Sequence, residues 1–200
     1  MKSLTQFIQE KLIIKKSKYN YFPKTKKELK DIIKQRIKQE GPEVDLNDID
    51  VSNVTDMSNL FEKFSIFNGD ISNWDVSNVT DMNRMFFGCK SFNQDISIWD
   101  VSNVKNMDSM FSSCKLFNKD ISNWNVSNVT NMSNMFYECA SFNKDISNWD
   151  VSNVKDMNSM FYGCLKFNQD ISAWNVSKVK YNFNVFNDCP IKEKYKPKFK

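Results

Sequence analysis

The stretch Asp95–Lys119, which reads DISIWDVSNVKNMDSMFSSCKLFNK, decides the architecture of this 200-residue chain. Near-identical stretches precede and follow it, with nothing inserted or deleted between the copies. Six copies begin at Asp45, Asp70, Asp95, Asp120, Asp145 and Asp170, and five carry a tryptophan, at Trp74, Trp99, Trp124, Trp149 and Trp174. A strict period of 25 residues predicts stacked supersecondary units that share one continuous core.

The apolar pattern within one copy predicts one strand and one helix. Ile71, Trp74 and Val76 alternate with polar residues, which favours a short strand around Trp74 to Ser77. The apolar residues that follow lie on one stripe of a three-turn helix: Val79, Met82, Met85, Phe86 and Cys89. We therefore expect an α/β solenoid, a right-handed leucine-rich-repeat-like coil with one short parallel strand and one short helix per turn.

The two ends of the chain do not follow the repeat. Residues 1–44 predict two amphipathic helices, one from about Ser3 to Lys15 and one that starts at the capping box Thr25-Lys-Lys-Glu28 and stops at Gly41-Pro42. We expect these helices to cap the apolar end of the array, and docking on a membrane or an acidic partner is the alternative. Residues 45–191 hold the six repeats, and residues 192–200 form a loose basic tail.

Charge is segregated along the chain, whose formal net charge is +4. Residues 1–44 carry a net charge of +7 and residues 192–200 of +4, whereas residues 45–191 carry −7. Because a nucleic acid requires a basic surface against its phosphates, the acidic array is not expected to bind one. Nucleic-acid or membrane binding through the basic ends is a weaker alternative. The chain has no apolar run of transmembrane length and no signal-peptide pattern, so we expect no membrane span and a cytoplasmic location.

Five cysteines share one place in the repeat, and Phe64 occupies that place in the first copy. They are Cys89, Cys114, Cys139, Cys164 and Cys189. A place that accepts either cysteine or phenylalanine is typical of a core, so we predict buried, reduced thiols and a reducing compartment. The chain has no histidine and no CxxC pair, so neither a Cys/His metal site nor a cofactor is expected.

Catalysis is not expected on grounds of residue type. The chain offers no histidine as a general base, no glycine-rich phosphate loop and no GxSxG serine. Its serines recur in every copy, as at Ser72 and Ser97, whereas an active site needs residues that occur once. We therefore expect a protein that is not an enzyme.

Two polar columns are candidate sites. The first is Asp70, Asp95, Asp120, Asp145 and Asp170, whose stacked carboxylates repel one another unless backbone N–H groups or bound cations offset the charge. We favour backbone N–H groups and keep metal ions as the alternative. The second column is Asp75, Asp100, Asn125, Asp150 and Asn175, expected on the inner face of the strands. It suits a basic peptide or a polar glycan, or it is a solvated face.

A further candidate surface comes from residues that differ between copies. Phe87, Tyr137, Tyr162 and Leu165 fall on the outer side of the expected coil. We predict that they form an exposed apolar edge that contacts a partner or another copy.

The unit Phe-Asn-x-Asp-Ile-Ser-x-Trp-Asp-Val-Ser-Asn-Val-x-x-Met-x-x-Met-Phe-x-x-Cys resembles the repeat of the BspA-like leucine-rich-repeat surface proteins, a large bacterial group. The resemblance implies a leucine-rich-repeat-like solenoid that is associated with cell surfaces, adhesion or protein binding. One set of asparagines resembles the asparagine ladder of leucine-rich repeats: Asn68, Asn93, Asn118, Asn143 and Asn168. We therefore expect a non-catalytic scaffold for protein–protein interaction, and a surface adhesin or virulence-associated protein, exported by a route not visible here, is the alternative.

Overall fold

A computed structural model of the chain describes residues 18–199, together with Gln6, Ile8 and Lys11. Two elements have described bounds, the α-helix α1 (Lys26–Glu40) and a short 3₁₀ helix (Glu193–Tyr195). Gln6, Ile8, Lys11 and Lys18 are also helical. Apart from Gln6, Ile8 and Lys11, the helix expected from about Ser3 to Lys15 lies outside the described residues. None of the described helices has the length and apolar character needed to cross a membrane.

Helix α1 begins and ends where the sequence predicts. Thr25 is its N-cap, and Thr25 Oγ1 accepts a hydrogen bond from Glu28 N at 3.2 Å. The Glu28 carboxylate accepts a hydrogen bond in return from Lys24 N at 2.7 Å. The reciprocal bond of the capping box is therefore donated by the residue before the N-cap and not by the N-cap itself. Gly41 follows the helix with a φ of 91°, and its N–H donates to Ile37 O. The prediction of this second helix is confirmed.

Helix α1 lies against the first repeat. Leu29 and Ile33 are fully buried in the common core. Lys26 Nζ is 2.7 Å from the Asp56 carboxylate, and Lys30 Nζ donates to Asn59 O at 2.6 Å. The apolar side of α1 therefore covers core residues of the first copy, while its lysines bind polar groups of the same copy.

The strand and the helix predicted for each repeat are not present among the described residues, where residues 41–192 consist of turns and isolated β-bridges. In the second copy, Met85 N donates to Met82 O at 3.1 Å and Cys89 N to Phe86 O at 2.9 Å. Each of these bonds spans three residues, as in a β-turn. Turns repeated at that spacing place apolar residues at the intervals that the sequence analysis attributed to a helix. The right-handed leucine-rich-repeat coil stays a prediction.

Left-handed backbone conformations separate these turns from a helix. Arg84 has a φ of 53° and Gly88 a φ of 75°, values that an α-helix of L-residues excludes. Each occupies the third position of a turn, where a positive φ is required in type II geometry. The same two places are left-handed in other copies, at Asn59, Ser109, Asn134, Ser159 and Asn184 and at Ser113, Glu138, Gly163 and Asp188.

Successive copies are joined by parallel backbone hydrogen bonds. Met82 N donates to Asn106 O at 3.0 Å, and every second residue repeats the pattern, as Phe86 N does with Met110 O at 3.0 Å. One bridge column runs through the array: Asp56, Asp81, Asn106, Asn131, Asp156 and Tyr181. Residues between these donors close the turns, so within residues 82–89 every second backbone N–H group depends on the next copy. That dependence explains the strict period, because an insertion would break the register.

Aromatic columns fill the core between the turns. Trp74 stacks on Trp99 with ring centroids 6.5 Å apart, and Phe86 stacks on Phe111 at 5.6 Å and on Phe92 at 4.0 Å. All five tryptophans are buried, which confirms that the recurring aromatic residues build the core. Because identical side chains repeat at one place in each turn, rings pack against their counterparts in the next copy, as Phe92 does on Phe117 at 5.9 Å.

The prediction of a loose C-terminal tail is wrong. Ile191 and Pro197 are buried, and Tyr195 O accepts a hydrogen bond from Ile171 N at 3.0 Å. Lysines alternate with Tyr195, Pro197 and Phe199, so the apolar residues can pack on the last repeat while the ammonium groups remain near solvent. Residues 191–199 therefore lie across the last copy.

Candidate functional site

The first aspartate column caps backbone turns. Asp95 Oδ1 accepts a hydrogen bond from Ser97 N at 2.9 Å, and Asp120 Oδ1 accepts one from Ser122 N at 2.9 Å. The same contact occurs at Asp70, Asp145 and Asp170. These bonds lower the pKa of Asp95 and Asp120 below the ordinary value. Within the described residues, no group of three His, Cys, Asp or Glu side chains could hold a metal ion, and cation binding stays a prediction.

The second column makes the same kind of turn. Asp75 Oδ1 accepts from Ser77 N at 3.1 Å and from Ser77 Oγ at 2.6 Å, and Asn125 Oδ1 accepts from Ser127 N at 3.2 Å. The equivalent contacts are made by Asp100, Asp150 and Asn175. The placement on the inner face of a strand is wrong, since these residues stand exposed in turns. The turn needs one side-chain oxygen as a hydrogen-bond acceptor, and Asp and Asn both supply it, which explains why either residue occupies this column.

A third column of the same type was not identified from the sequence. Asp81 Oδ1 accepts from Asn83 N at 2.8 Å, and Asn131 Oδ1 accepts from Ser133 N at 3.0 Å. The signal that could have found it is the recurrence of Asp or Asn two residues before a polar residue in the first five copies. Because all three columns use their oxygens within the turn, none offers a unique site along the array.

The asparagine column passes hydrogen bonds from one copy to the next. Asn68 Oδ1 accepts from Asn93 N at 2.9 Å, and Asn93 Oδ1 accepts from Asn118 N at 3.0 Å. The last member, Asn168, accepts from Lys192 N at 3.0 Å. These side chains therefore accept hydrogen bonds from the backbone of the following copy or segment.

The five thiols are free, and four are fully buried. Cys114 Sγ lies 3.0 Å from Phe86 O in the preceding copy. Burial raises the pKa of the Cys89 thiol to about 12 and also raises the pKa of the Cys114 thiol well above its ordinary value. The predicted burial of the thiols is confirmed, with Cys189 only partly buried. Since the thiolate is the reactive form, these side chains are poor nucleophiles.

The predicted apolar edge is divided into two parts. The ring of Phe87 lies under the guanidinium of Arg84, 3.7 Å from the ring centroid, and Arg84 also pairs with Glu62 at 2.7 Å. Tyr137 and Tyr162 stack on each other with centroids 4.9 Å apart. The copy between Phe87 and Tyr137 has a serine at this place, so the tyrosine pair is separate from Phe87.

Acidic side chains surround the tyrosine pair. A shallow depression of about 530 Å³ is lined by Lys115, Glu138, Ala140, Tyr162, Leu165 and Asp188. Leu165 is 64% exposed there, and a hydrogen bond with Asp188 raises the pKa of Tyr162. We call Tyr137, Glu138, Tyr162, Leu165 and Asp188 the acidic–aromatic patch. Spacing alone did not identify Glu138 and Asp188 as neighbours of the tyrosines.

Comparison with known proteins identifies one family. The family model described as "Mycoplasma protein of unknown function, DUF285" matches residues 28–132 and, a second time, residues 98–196. No curated protein and no solved structure matches the chain. The two matched ranges together run from α1 into the C-terminal segment and include every complete copy of the repeat.

Proposed function

We propose, from the premise that this chain belongs to the family described as Mycoplasma protein of unknown function, DUF285, that it is a non-catalytic scaffold that binds another protein. The observation that carries the proposal is the acidic–aromatic patch. It is built from places at which the copies differ, so it occurs once, whereas the capping columns recur in every copy. A surface that occurs once can select one partner.

The chemistry of the patch suits a basic segment of the partner. Tyr137 and Tyr162 offer a stacked pair of rings, and Glu138 and Asp188 supply two carboxylates beside them. Tyrosine rings attract cations through their π faces, and carboxylates pair with lysine or arginine. Leu165 adds an exposed apolar contact. A segment with arginine or lysine next to an apolar residue complements all three features.

A catalytic role is not part of the proposal. The recurring carboxylates are engaged in turns, and burial raises the pKa of the thiols Cys89 and Cys114. Neither set supplies an activated group at a unique place. We therefore assign the function to the surface of the array.

The test compares two exposed leucines. Leu165 belongs to the patch and Leu116 lies outside it, and their exposed fractions are 64% and 55%. The intact chain, Leu165→Ser, Tyr162→Ala and the control Leu116→Ser are each used to capture proteins from a cell extract. We expect one partner to be retained by the intact chain and Leu116→Ser and lost from the two patch variants. Equal retention by all four proteins would refute the proposed surface.

A surface adhesin is the second candidate function. The observation that favours it is the resemblance of the FNxDISxW unit to the repeats of surface proteins. Protease treatment of intact cells separates the two functions, because only a displayed array is cleaved without lysis. Full protection of the chain under conditions that cleave a known surface protein would rule the adhesin out.

A further inference from the structure

The last repeat carries a row of backbone N–H groups whose counterparts in the other repeats donate hydrogen bonds to the next copy. Throughout the array, alternate N–H groups donate to the next copy, as Ser159 N does to Phe183 O at 2.8 Å and Phe161 N to Val185 O at 2.9 Å. The corresponding donors of the last copy are the N–H groups of Asn182, Asn184, Phe186 and Asp188. Within residues 18–199, none of these four groups has a hydrogen-bond acceptor. We call this row the donor edge.

The C-terminal segment leaves the donor edge open. Residues 191–199 cover the other part of the last copy, where Ile171 N donates to Tyr195 O. A groove of about 340 Å³ runs between the donor edge and the C-terminal segment. It is lined on one side by Asn182, Asn184 and Phe186 and on the other by Lys196 and Phe199. The row is therefore reachable from solvent along a shaped surface.

Two aromatic side chains beside the donor edge are exposed. Tyr181 and Phe183 are 58% and 73% exposed, whereas their counterparts Asn106 and Asp108, covered by a copy on each side, are partly buried. Large exposed aromatic residues at a polar edge are typical of contact sites. They offer apolar area next to the backbone donors.

The charge around the donor edge is positive. Residues 178–199 contain six lysines against two acidic residues, Asp188 and Glu193. Lys180 is exposed next to Tyr181. Lys196 Nζ lies 5.7 Å from the ring centroid of Phe186 and pairs with Glu193 at 2.7 Å. This end therefore attracts a negatively charged ligand, in contrast to the acidic array behind it.

A second copy of the chain does not complement the donor edge. Helix α1 lies against the first repeat, with Lys26 and Lys30 bound to it, so the opposite end of another copy is covered. Two donor edges placed together would oppose N–H groups to N–H groups. The complementary ligand is a backbone that presents carbonyl oxygens at alternate residues, which is the property of an extended segment.

We infer that the donor edge binds an extended, acidic segment of another protein, which adds to the last repeat as one more parallel layer. Its carbonyl groups accept from Asn182, Asn184, Phe186 and Asp188. Its acidic side chains face Lys180 and Lys196, and its alternate apolar side chains cover Tyr181 and Phe183. This site differs from the acidic–aromatic patch, which prefers a basic segment. The two meet at Asp188, whose backbone N–H belongs to the donor edge and whose carboxylate, hydrogen-bonded to Tyr162, belongs to the patch.

The test uses a ten-residue peptide in which glutamate alternates with valine, blocked at both ends, and the intact chain. Backbone amide exchange is followed by NMR with and without the peptide. We expect exchange at Asn182, Asn184, Phe186 and Asp188 to slow by at least about tenfold on binding. The amides of Ser159 and Phe161, which are already bonded, should not change. Binding that leaves the four amides unprotected, or no binding, would overturn the inference.

Charge variants supply the matched control. Lys180→Glu reverses a charge at the donor edge, and Lys105→Glu reverses one in the same column three copies away. We expect Lys180→Glu to weaken the peptide by about tenfold and Lys105→Glu to leave its affinity nearly unchanged. An equal loss in both variants would mean that general charge attraction and not the edge holds the peptide. Equally tight binding of a second peptide, in which lysine replaces each glutamate, would show that the edge does not select an acidic segment.

Discussion

Trp124 donates its indole N–H to the carbonyl oxygen of Ile96 in the preceding copy, at 3.1 Å, from a position that is almost fully buried. The same bond joins every other tryptophan to the copy before it, from Trp74 to Leu46 O through Trp174 to Ile146 O. The tryptophan therefore has two tasks, since it fills the core of its own turn and satisfies a backbone acceptor in its neighbour. The second task acts across the boundary between copies.

Replacement of Trp124 should therefore be severe. Trp124→Ala removes a large buried side chain, and we expect a loss of about 3–5 kcal/mol in the free energy of unfolding. Trp124→Phe keeps an aromatic ring in the core but removes one of the two donors to Ile96 O, whose other donor is Trp99 N at 3.2 Å, at a cost of about 0.5–1.5 kcal/mol. Denaturant unfolding of the three proteins measures both values.

The position of the replacement should also matter. Because stability is shared between neighbours, Trp124→Ala should loosen the copies on its C-terminal side while α1 and the first copies stay folded. Hydrogen exchange resolved by residue tests this. A uniform loss of protection from α1 to the last copy would contradict a stack held by nearest neighbours.

The change in the free energy of unfolding caused by Gly88→Ala has opposite signs in a turn and in a helix. The φ of Gly88 is 75°, and a methyl group at its Cα would meet no atom within 4 Å. In the turn, Gly88→Ala therefore costs backbone strain alone, about 1–2 kcal/mol. In a helix the same change would stabilise the protein by about 1 kcal/mol. We expect destabilisation in thermal or denaturant unfolding.

Gly88→Asn is the matched control for that change. Asparagine tolerates the left-handed region better than alanine does, so this variant should lose less stability than Gly88→Ala. Equal losses would show that the side chain, and not the backbone conformation, carries the cost.

The strict repeat shows the 25-residue period in the sequence but does not show the local backbone conformation. Core positions and the capping box Thr25–Glu28 could be predicted because apolar spacing and cap chemistry act locally. The turns could not, because a chain of β-turns returns an apolar side chain inward every three residues, as a helix does. The left-handed places carry Arg84, Ser109 and Glu138, which do not mark a turn as glycine would.

The candidate surfaces were predictable to a different degree. Tyr137 and Tyr162 were found because they break the repeat, but the neighbouring carboxylate of Asp188 depends on how three copies stack. The donor edge is invisible in side-chain types, because its donors are backbone N–H groups that every residue except proline carries.

Thiol reactivity should separate Cys189 from the other four cysteines. Cys189 is partly buried, whereas Cys89, Cys114, Cys139 and Cys164 are fully buried. Burial raises the pKa of Cys89 to about 12, so little of the reactive thiolate exists at pH 8. With a colorimetric disulfide reagent we expect one thiol to react first and four only on unfolding.

Cys189→Ser serves as the control for that assignment. It should abolish the early phase and leave the slow phase unchanged. An early phase that persists in Cys189→Ser would show that a thiol in the core column is open to solvent.

The aspartate turns should make stability depend on pH in one direction. Hydrogen bonds from Ser97 and Ser122 lower the pKa of Asp95 and Asp120 in the folded chain. A carboxyl group whose folded pKa is depressed contributes stability above its unfolded pKa, which is near 3.8, and loses it as pH falls through the folded value. The midpoint of urea unfolding should therefore be constant near pH 7 and fall below about pH 4.

The alternation of Asp and Asn in the second column supplies the control for this dependence. Asn125 Oδ1 makes the turn bond without a charge, at 3.2 Å from Ser127 N. The double variant Asp95→Asn and Asp120→Asn should therefore keep most of its stability at pH 7 and lose less of it at pH 3 than the parent chain. Equal acid sensitivity in both proteins would mean that other carboxyl groups, such as Asp56 beside Lys26, control the acid transition.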